Sequence, residues 1–209
     1  MMQLLKVLCV LKSGGDFDAR YVDKLELGVR RHLKVPHDFI CLTDVAEEVS
    51  CKTIKLIDNL KGWWSKVELF KVPGPVIYFD LDTIILGDII KLAEAVFIKK
   101  VKKFFMLKPF RPANKRWGSG VMAWAGDFSY IHERYDESLL HHIERFGDQR
   151  FISNVLTKEE FDIEYVQDVL PGVYSYKRHC LKGIPKDIST LCFHGQPRPI
   201  DVKDIWNLV

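Results

Sequence analysis

Neither sign of charge dominates this chain. Its 31 Lys and Arg stand against 28 Asp and Glu, a formal net charge of +3 over 209 residues. That balance leaves no strong pull toward nucleic acid or an anionic membrane. No apolar run reaches the ~20 residues of a membrane-spanning helix. The five cysteines (9, 41, 51, 180, 192) are odd in number and lack C-x-x-C spacing. Their pattern excludes a disulfide framework and a zinc site as first readings and points to a reducing, cytoplasmic setting. Cys9, Cys41 and Cys192 fall inside apolar runs and read as small core residues. The apolar N-terminus lacks a cleavage pattern and reads as a first strand, not a signal peptide. There is no internal repeat, low-complexity segment or evident linker, so residues 1–209 are expected to form a single domain.

What the chain does have is concentrated in Val76-Ile77-Tyr78-Phe79-Asp80-Leu81-Asp82-Thr83-Ile84-Ile85-Leu86. An apolar run climbs to two carboxylates at i, i+2 and returns to apolar residues. In an extended chain alternate side chains share a face, so Asp80 and Asp82 are expected to point together from the end of a buried strand. Two carboxylates held so close repel unless something positive lies between them. A hard divalent cation with oxygen ligands suits that place. The plainer alternative is a solvated turn with two acids, and the apolar flanks on both sides weigh against it.

The rest of the first half alternates. Leu4 to Leu11 is an apolar run, as in a strand buried on both faces, and ends in a glycine-containing loop, Lys12 to Asp16. Tyr21, Leu25, Val29 and Leu33 put one apolar face on a helix over 17–33. Phe39 to Leu42 is a second strand, stopped by Thr43-Asp44, and Thr53 to Ile57 a third. Gly62 to Phe70 reads as a helix with Trp63, Val67 and Phe70 on one face and Lys66 one turn from Trp63; Trp63, Trp64 and Trp124 read as core. Pro73-Gly74-Pro75 breaks that helix and starts the fourth strand. This alternation predicts an α/β fold with a mostly parallel central sheet flanked by helices, and ligands beyond the carboxyl ends of its strands.

The second half is less regular. Helices are expected over 88–96, over 128–146, and from Gly147-Asp148-Gln149 onward with Asp148 as N-cap. Strands are expected at 104–107, 121–124, 163–166 and 190–193, with Gly118-Ser119-Gly120 as a flexible approach to the second. The run Lys99-Lys100-Val101-Lys102-Lys103 reads as a solvated helix end or loop. His141 and His142 are neighbours on a helix and point apart, which weighs against a metal site there. Trp117, beside the glycines, is open to two readings, core or the wall of a sugar cleft.

Taken in order, these segments resemble the metal-dependent glycosyltransferases of the glycogenin-like, GT-A type. Phe79-Asp80-Leu81-Asp82-Thr83 with Gly87-Asp88 resembles the family's D-x-D segment. Gly118-Ser119-Gly120-Val121-Met122-Ala123-Trp124 resembles its Asn-Ser-Gly-Val-Met strand, Gly147-Asp148-Gln149 its Asp-Gln motif, and Phe193-His194-Gly195 with Arg198-Pro199 its C-terminal His-x-x-Gly…Lys-Pro element. The resemblance spans nearly the whole chain and is nearest to short bacterial and viral members. It implies a nucleotide-binding half over about 1–90 and a sugar and acceptor half over about 91–209.

The same resemblance assigns roles. Asp80, Asp82 and His194 would hold a divalent cation, manganese in preference to magnesium. The cation would bridge the diphosphate of a nucleotide-sugar donor, by family default a UDP-sugar. The loop from Leu11 to Asp16, Ser13 included, would lie under the nucleoside, and Thr43 and Asp44 would contact the base. Leu81, Gly120 and Gly195 would line the donor, Lys66 would meet a phosphate or the sugar, and Arg198 would close on the diphosphate. Asp148 and Gln149 would face the donor sugar, with Lys66 completing the catalytic set. The acceptor is not named by the sequence. Gly118 stands where the family commonly has a sugar-binding Asn, Gln196-Pro197-Arg198 alters the C-terminal element, and Ile200 replaces an aromatic residue. The resemblance implies transfer with retention. Two other readings stand beside it: a haloacid-dehalogenase-type phosphatase, which shares a D-x-D-x-T loop, and a nucleotide-sugar binder without turnover on the same fold.

Overall fold

The computed structural model describes residues 4–97, 102–111, 117–136 and 147–209. The first half runs β1 (Leu5–Leu11), α1 (Ala19–His32), β2 (His37–Thr43), β3 (Lys52–Lys55), a 3₁₀-helical segment (Gly62–Lys71), β4 (Val76–Phe79) and β5 (Thr83–Ile85). It continues through α2 (Ile90–Phe97), β6 (Lys103–Leu107), β7 (Gly118–Ala125), α3 (Ser129–Glu133), α4 (Gly147–Lys158) and β8 (Ile163–Tyr165). β9 (Val173–Ser175) leads into a helical turn, Tyr176–His179, and β10 (Thr190–Cys192) precedes two more helical turns. No helix among the described residues is long and apolar enough to cross a membrane.

A seven-stranded sheet has the order β3-β2-β1-β4-β7-β6-β8. It is mostly parallel, with β7 antiparallel to both β4 and β6. The chain moves outward from β1 to β3 and then crosses back to β4 on the other side of β1. That reversal opens a crevice at the carboxyl ends of β1 and β4. Alternation along β4 sends Ile77 and Phe79 into a core shared with α1 and α2, and Val76 and Tyr78 into one shared with the 3₁₀ segment and α4. Both faces of the sheet are therefore buried around β1 and β4, as the apolar runs require, while the edge strand β3 is exposed.

A second, three-stranded sheet has the order β5-β10-β9. β10 pairs antiparallel with β5, Cys192 opposite Thr83, and the backbone N–H of Phe193 donates to the Asp82 carbonyl at 3.0 Å. This pairing lays the His194-to-Arg198 segment beside the aspartate pair. α1 reaches over the same small sheet. Asp18 caps it by accepting from Arg20 N–H at 3.0 Å. Gly28 lets it lie close, because a Cβ there would stand 3.1 Å from Ile85 Cβ.

Four local expectations are revised. Asp80 and Asp82 do not extend a strand. They sit on a turn closed by Thr83 N–H to the Asp80 carbonyl at 3.0 Å, and the chain leaves one sheet for the other there. Gly118-Ser119-Gly120 is part of β7, since partners on either side draw it into the ladder. The helix expected over 128–146 stops at Glu133 in the described part, and residues 137–146, His141 and His142 among them, lie outside the described residues, as do Lys99, Lys100 and Val101. Gly62–Lys71 is 3₁₀ rather than α, so its faces repeat every three residues. Trp64, Val67 and Phe70 share the buried face, and Trp63 is turned out at 59% exposure instead of joining the core.

That change of phase has a measurable signature. Trp64→Ala is expected to cost roughly 3–5 kcal/mol of stability and Trp63→Ala roughly 0.5 kcal/mol or less, read by denaturant unfolding. Equal losses for the two would contradict the three-residue phase.

Candidate active site

A cavity of about 1220 Å³ opens at the crevice beyond β1 and β4. Its floor is built around Lys66. The 3₁₀ segment buries this side chain to 7% exposure and aims its ammonium at the end of β4. Lys66 Nζ lies 2.8 Å from Asp80 Oδ1 and 2.8 Å from Asp148 Oδ2, and it donates to Ser119 Oγ at 3.2 Å. Ser119 Oγ in turn donates to Asp148 Oδ2 at 2.6 Å, and the Tyr78 hydroxyl donates to Asp80 Oδ1 at 2.5 Å. Burial alone would lower the ammonium's pKa, but the two carboxylates outweigh it and hold Lys66 above the ordinary lysine range. Burial, reinforced by Asp80, likewise raises the Tyr78 phenol, which stays protonated and donates.

Asp82 faces the same cavity from the other side of the turn. Its carboxyl is pushed up to about 7, first by burial and then by the Asp80 charge, against the opposing pull of Arg198 and Lys66. Arg198 Nη1 stands 3.4 Å from Asp82 Oδ2, and its other terminal nitrogen holds Asp16. Arg198 Nε is buried and has no hydrogen-bond partner. At the end of β1 and β2, Asp44 accepts from Lys12 Nζ at 2.5 Å and from Ser13 N–H and Oγ at 2.8 and 2.7 Å. Burial would raise the Asp44 carboxyl, and these donors together reverse that and hold it well below the usual carboxylate range.

The cavity gathers most of the residues singled out in the sequence. Lys66, Asp80, Leu81, Asp82 and Gly120 line it, as do Asp148, Gln149, His194 and Arg198. Five do not reach its wall: Leu11, Ser13, Thr43, Asp44 and Gly195. Of these, Asp44 and Ser13 touch it through Lys12, which does line it, while Thr43 is buried and its hydroxyl accepts from Val45 N–H at 3.1 Å. Gly195 has a φ of +69° and turns the chain after His194. Asp148 falls within the first turn of α4 and not at its N-cap, its carboxylate committed to Lys66 and Ser119. Trp117 is half-buried in the cavity wall, stacked on Tyr165 with ring centres 4.4 Å apart. Tyr78 was given no role, although it lies two residues before Asp80, and Ser119 and Asp16 entered only as parts of a motif and a loop.

Among the described residues no three His, Cys, Asp or Glu side chains gather into a metal-binding group. The donor chemistry around the turn nonetheless fits a hard divalent cation. Two carboxylates, one of them destabilised as an anion, share a cavity with an imidazole. Their charge is met here by Lys66 and Arg198.

No known protein-family model matches the chain, and no curated protein sequence matches it. Solved structures do. The glycosyltransferase GlyE of Streptococcus pneumoniae TIGR4 superposes with a TM-score of 0.66 at 16% identity, over 97% of this chain and 59% of that one. Its apo form gives 0.64 at 14%, over 99% and 60%. The galactosyltransferase LgtC, solved with donor and acceptor sugar analogues, gives 0.61 at 11%, over 97% and 94%. The chain thus spans about three fifths of the GlyE chains and nearly all of LgtC. Its fold is that of the GT-A glycosyltransferases. The likeness does not single out the glycogenin-like branch.

The buried Asp82 makes stability fall with pH. A carboxyl raised in the folded state stabilises it fully below the unfolded value near 3.8, and that contribution is lost as pH rises through about 7. Between pH 4 and 8, without divalent cations, the wild type is expected to lose stability relative to Asp82→Asn, on the order of 4 kcal/mol at most. Parallel pH profiles of unfolding free energy for the two proteins would refute this.

Proposed function

We propose that the chain is a metal-dependent glycosyltransferase that moves a sugar from a nucleoside-diphosphate donor, a UDP-sugar, to an acceptor hydroxyl with retention of configuration. The observation that carries this reading is Lys66, buried and charged between Asp80 and Asp148 at the floor of an open cavity. A fold-stabilising ion pair does not need a cavity of that size above it. The GT-A fold supports the same reading, as do the glycogenin-like motifs. The five free cysteines suit a cytoplasmic setting.

Asp80, Asp82 and His194 would hold the cation, for which their mixed oxygen and nitrogen donors favour manganese over magnesium. When bound, it offsets the charge of the diphosphate and of the leaving group. Arg198 offers its unpartnered Nε to a diphosphate oxygen. Lys66 holds Asp148 and Asp80 in place and adds a positive charge under the breaking bond. Asp148 accepts from donor-sugar hydroxyls, and the Gln149 carboxamide faces the anomeric carbon. An amide is a poor nucleophile, so same-face attack is preferred to double displacement. The acceptor oxygen bonds to the anomeric carbon as the bond to the diphosphate breaks, and the acceptor's proton passes to the departing phosphate oxygen.

The phosphatase reading is displaced by the fold. The aspartate turn follows β4 and not the first strand, and the sheet is that of the GT-A enzymes. A binder without turnover shares every feature of the donor site, and experiment separates the two. Thermal unfolding is measured with UDP, GDP, ADP and CDP, each with and without manganese. UDP with manganese is expected to add about 2.7 kcal/mol at a hundredfold excess over its dissociation constant, and Asp82→Ala to abolish the gain. No stabilisation by any nucleotide would overturn the reading. Donor hydrolysis then distinguishes enzyme from binder. Asp148→Asn keeps the hydrogen bond from Ser119 and is expected to retain UDP-dependent stabilisation while lowering donor turnover about 10²-fold. Inversion at the anomeric centre of the product would remove the retaining step alone.

A further inference from the structure

The charges around the cavity do not cancel wall by wall. Its four acids are already matched: Asp80 and Asp148 share Lys66, and Asp82 and Asp16 share Arg198. Besides Lys12, which pairs with Asp44, four further cations line the cavity: Lys108, Arg111, Lys177 and Arg178. None of them pairs with a carboxylate among the described residues. Two come from the loop after β6 and two from the helical turn after β9. Phe110 joins these segments, its ring centre 5.3 Å from that of His194 and 5.9 Å from that of His179.

The rim is built and not merely basic. Gln167 clamps the backbone of Lys108 from both sides, accepting from its N–H at 2.7 Å and donating to its carbonyl at 3.1 Å. The Lys108 ammonium stands 5.2 Å from the centre of the Tyr165 ring, which stacks on Trp117. The Lys177 ammonium holds the His194 carbonyl. The stacked pair Trp117 and Tyr165 thus stands beside Lys108, whose backbone Gln167 holds, and Lys177 is held by the His194 carbonyl. Like charges gathered without counter-charge are unfavourable unless an anion joins them.

We propose that this rim binds an acceptor saccharide carrying a phosphate group, with the sugar ring against Trp117 and the phosphate among Lys108, Arg111, Lys177 and Arg178. The inference rests on the glycosyltransferase reading for its donor. A divalent cation and the unpartnered Nε of Arg198 are assigned to the diphosphate there, and the rim cations, none of them paired with a carboxylate among the described residues, are open to a second anion. A dianionic phosphate fits up to four cations better than a single carboxylate does.

The test is calorimetric titration with glucose, galactose and mannose 6-phosphates and with the parent hexoses, in saturating UDP and manganese. At least one phosphate is expected to bind about tenfold or more tightly than its parent sugar, less so at high salt. Lys108→Glu/Arg178→Glu is expected to erase that preference, and Lys108→Gln/Arg178→Gln to reduce it, with UDP affinity unchanged in both. No preference for any phosphate, or a preference that survives in the charge-reversed protein, would overturn the proposal. Failure of UDP itself to bind wild type would strike the donor reading instead, and the hexose phosphates, titrated without UDP, would still decide the rim.

Discussion

A positive charge kept out of water, at Lys66, is the constraint around which the site is arranged. Desolvating an ammonium is costly, and the cost is offset here only because two carboxylates and a hydroxyl converge on it. Each partner arrives on a different element: Asp80 at the end of β4, Asp148 on the first turn of α4, Ser119 within β7. The ion triad therefore fixes the spacing of three elements and the floor of the cavity together. Removing Lys66 leaves two neighbouring carboxylates without their counter-charge, so the triad's geometry is held where chemistry needs it to be.

The two aspartates of the turn sit in different electrostatic surroundings although only one residue separates them. Asp80 is held by Lys66 and Tyr78, while Asp82 has a more distant guanidinium and a dry neighbourhood. One carboxylate is thus committed and the other is responsive. A cation placed beside them would favour ionisation of Asp82.

Much of this was legible in the residues. β1, β4 and α1 follow from apolar runs and a four-residue stripe, because local pattern and burial agree there. The aspartate pair was marked by its flanks even though it proved to be a turn; residue type survived an error of backbone. The Trp63 assignment failed, while that of Trp64 held, because a 3.6-residue period was assumed where three applies, and a ten-residue 3₁₀ segment is rare enough that pattern alone favours the α-helix. Gly118 to Gly120 looked irregular because glycine weakens an isolated strand, and pairing from β4 and β6 supplies what the residues lack. Ser119 was visible only as part of a motif, and its contact with Asp148 was not, since that partner lies 29 residues away.

The small sheet has a consequence for how the chain comes together in time. Arg198 meets Asp82 across 116 residues, and it does so only because β10 docks on β5. Contacts of such separation close late, after the entropy of a long loop has been overcome. During synthesis the aspartate turn emerges well before its C-terminal partners, and Arg198 can reach Asp82 only when the small sheet is complete.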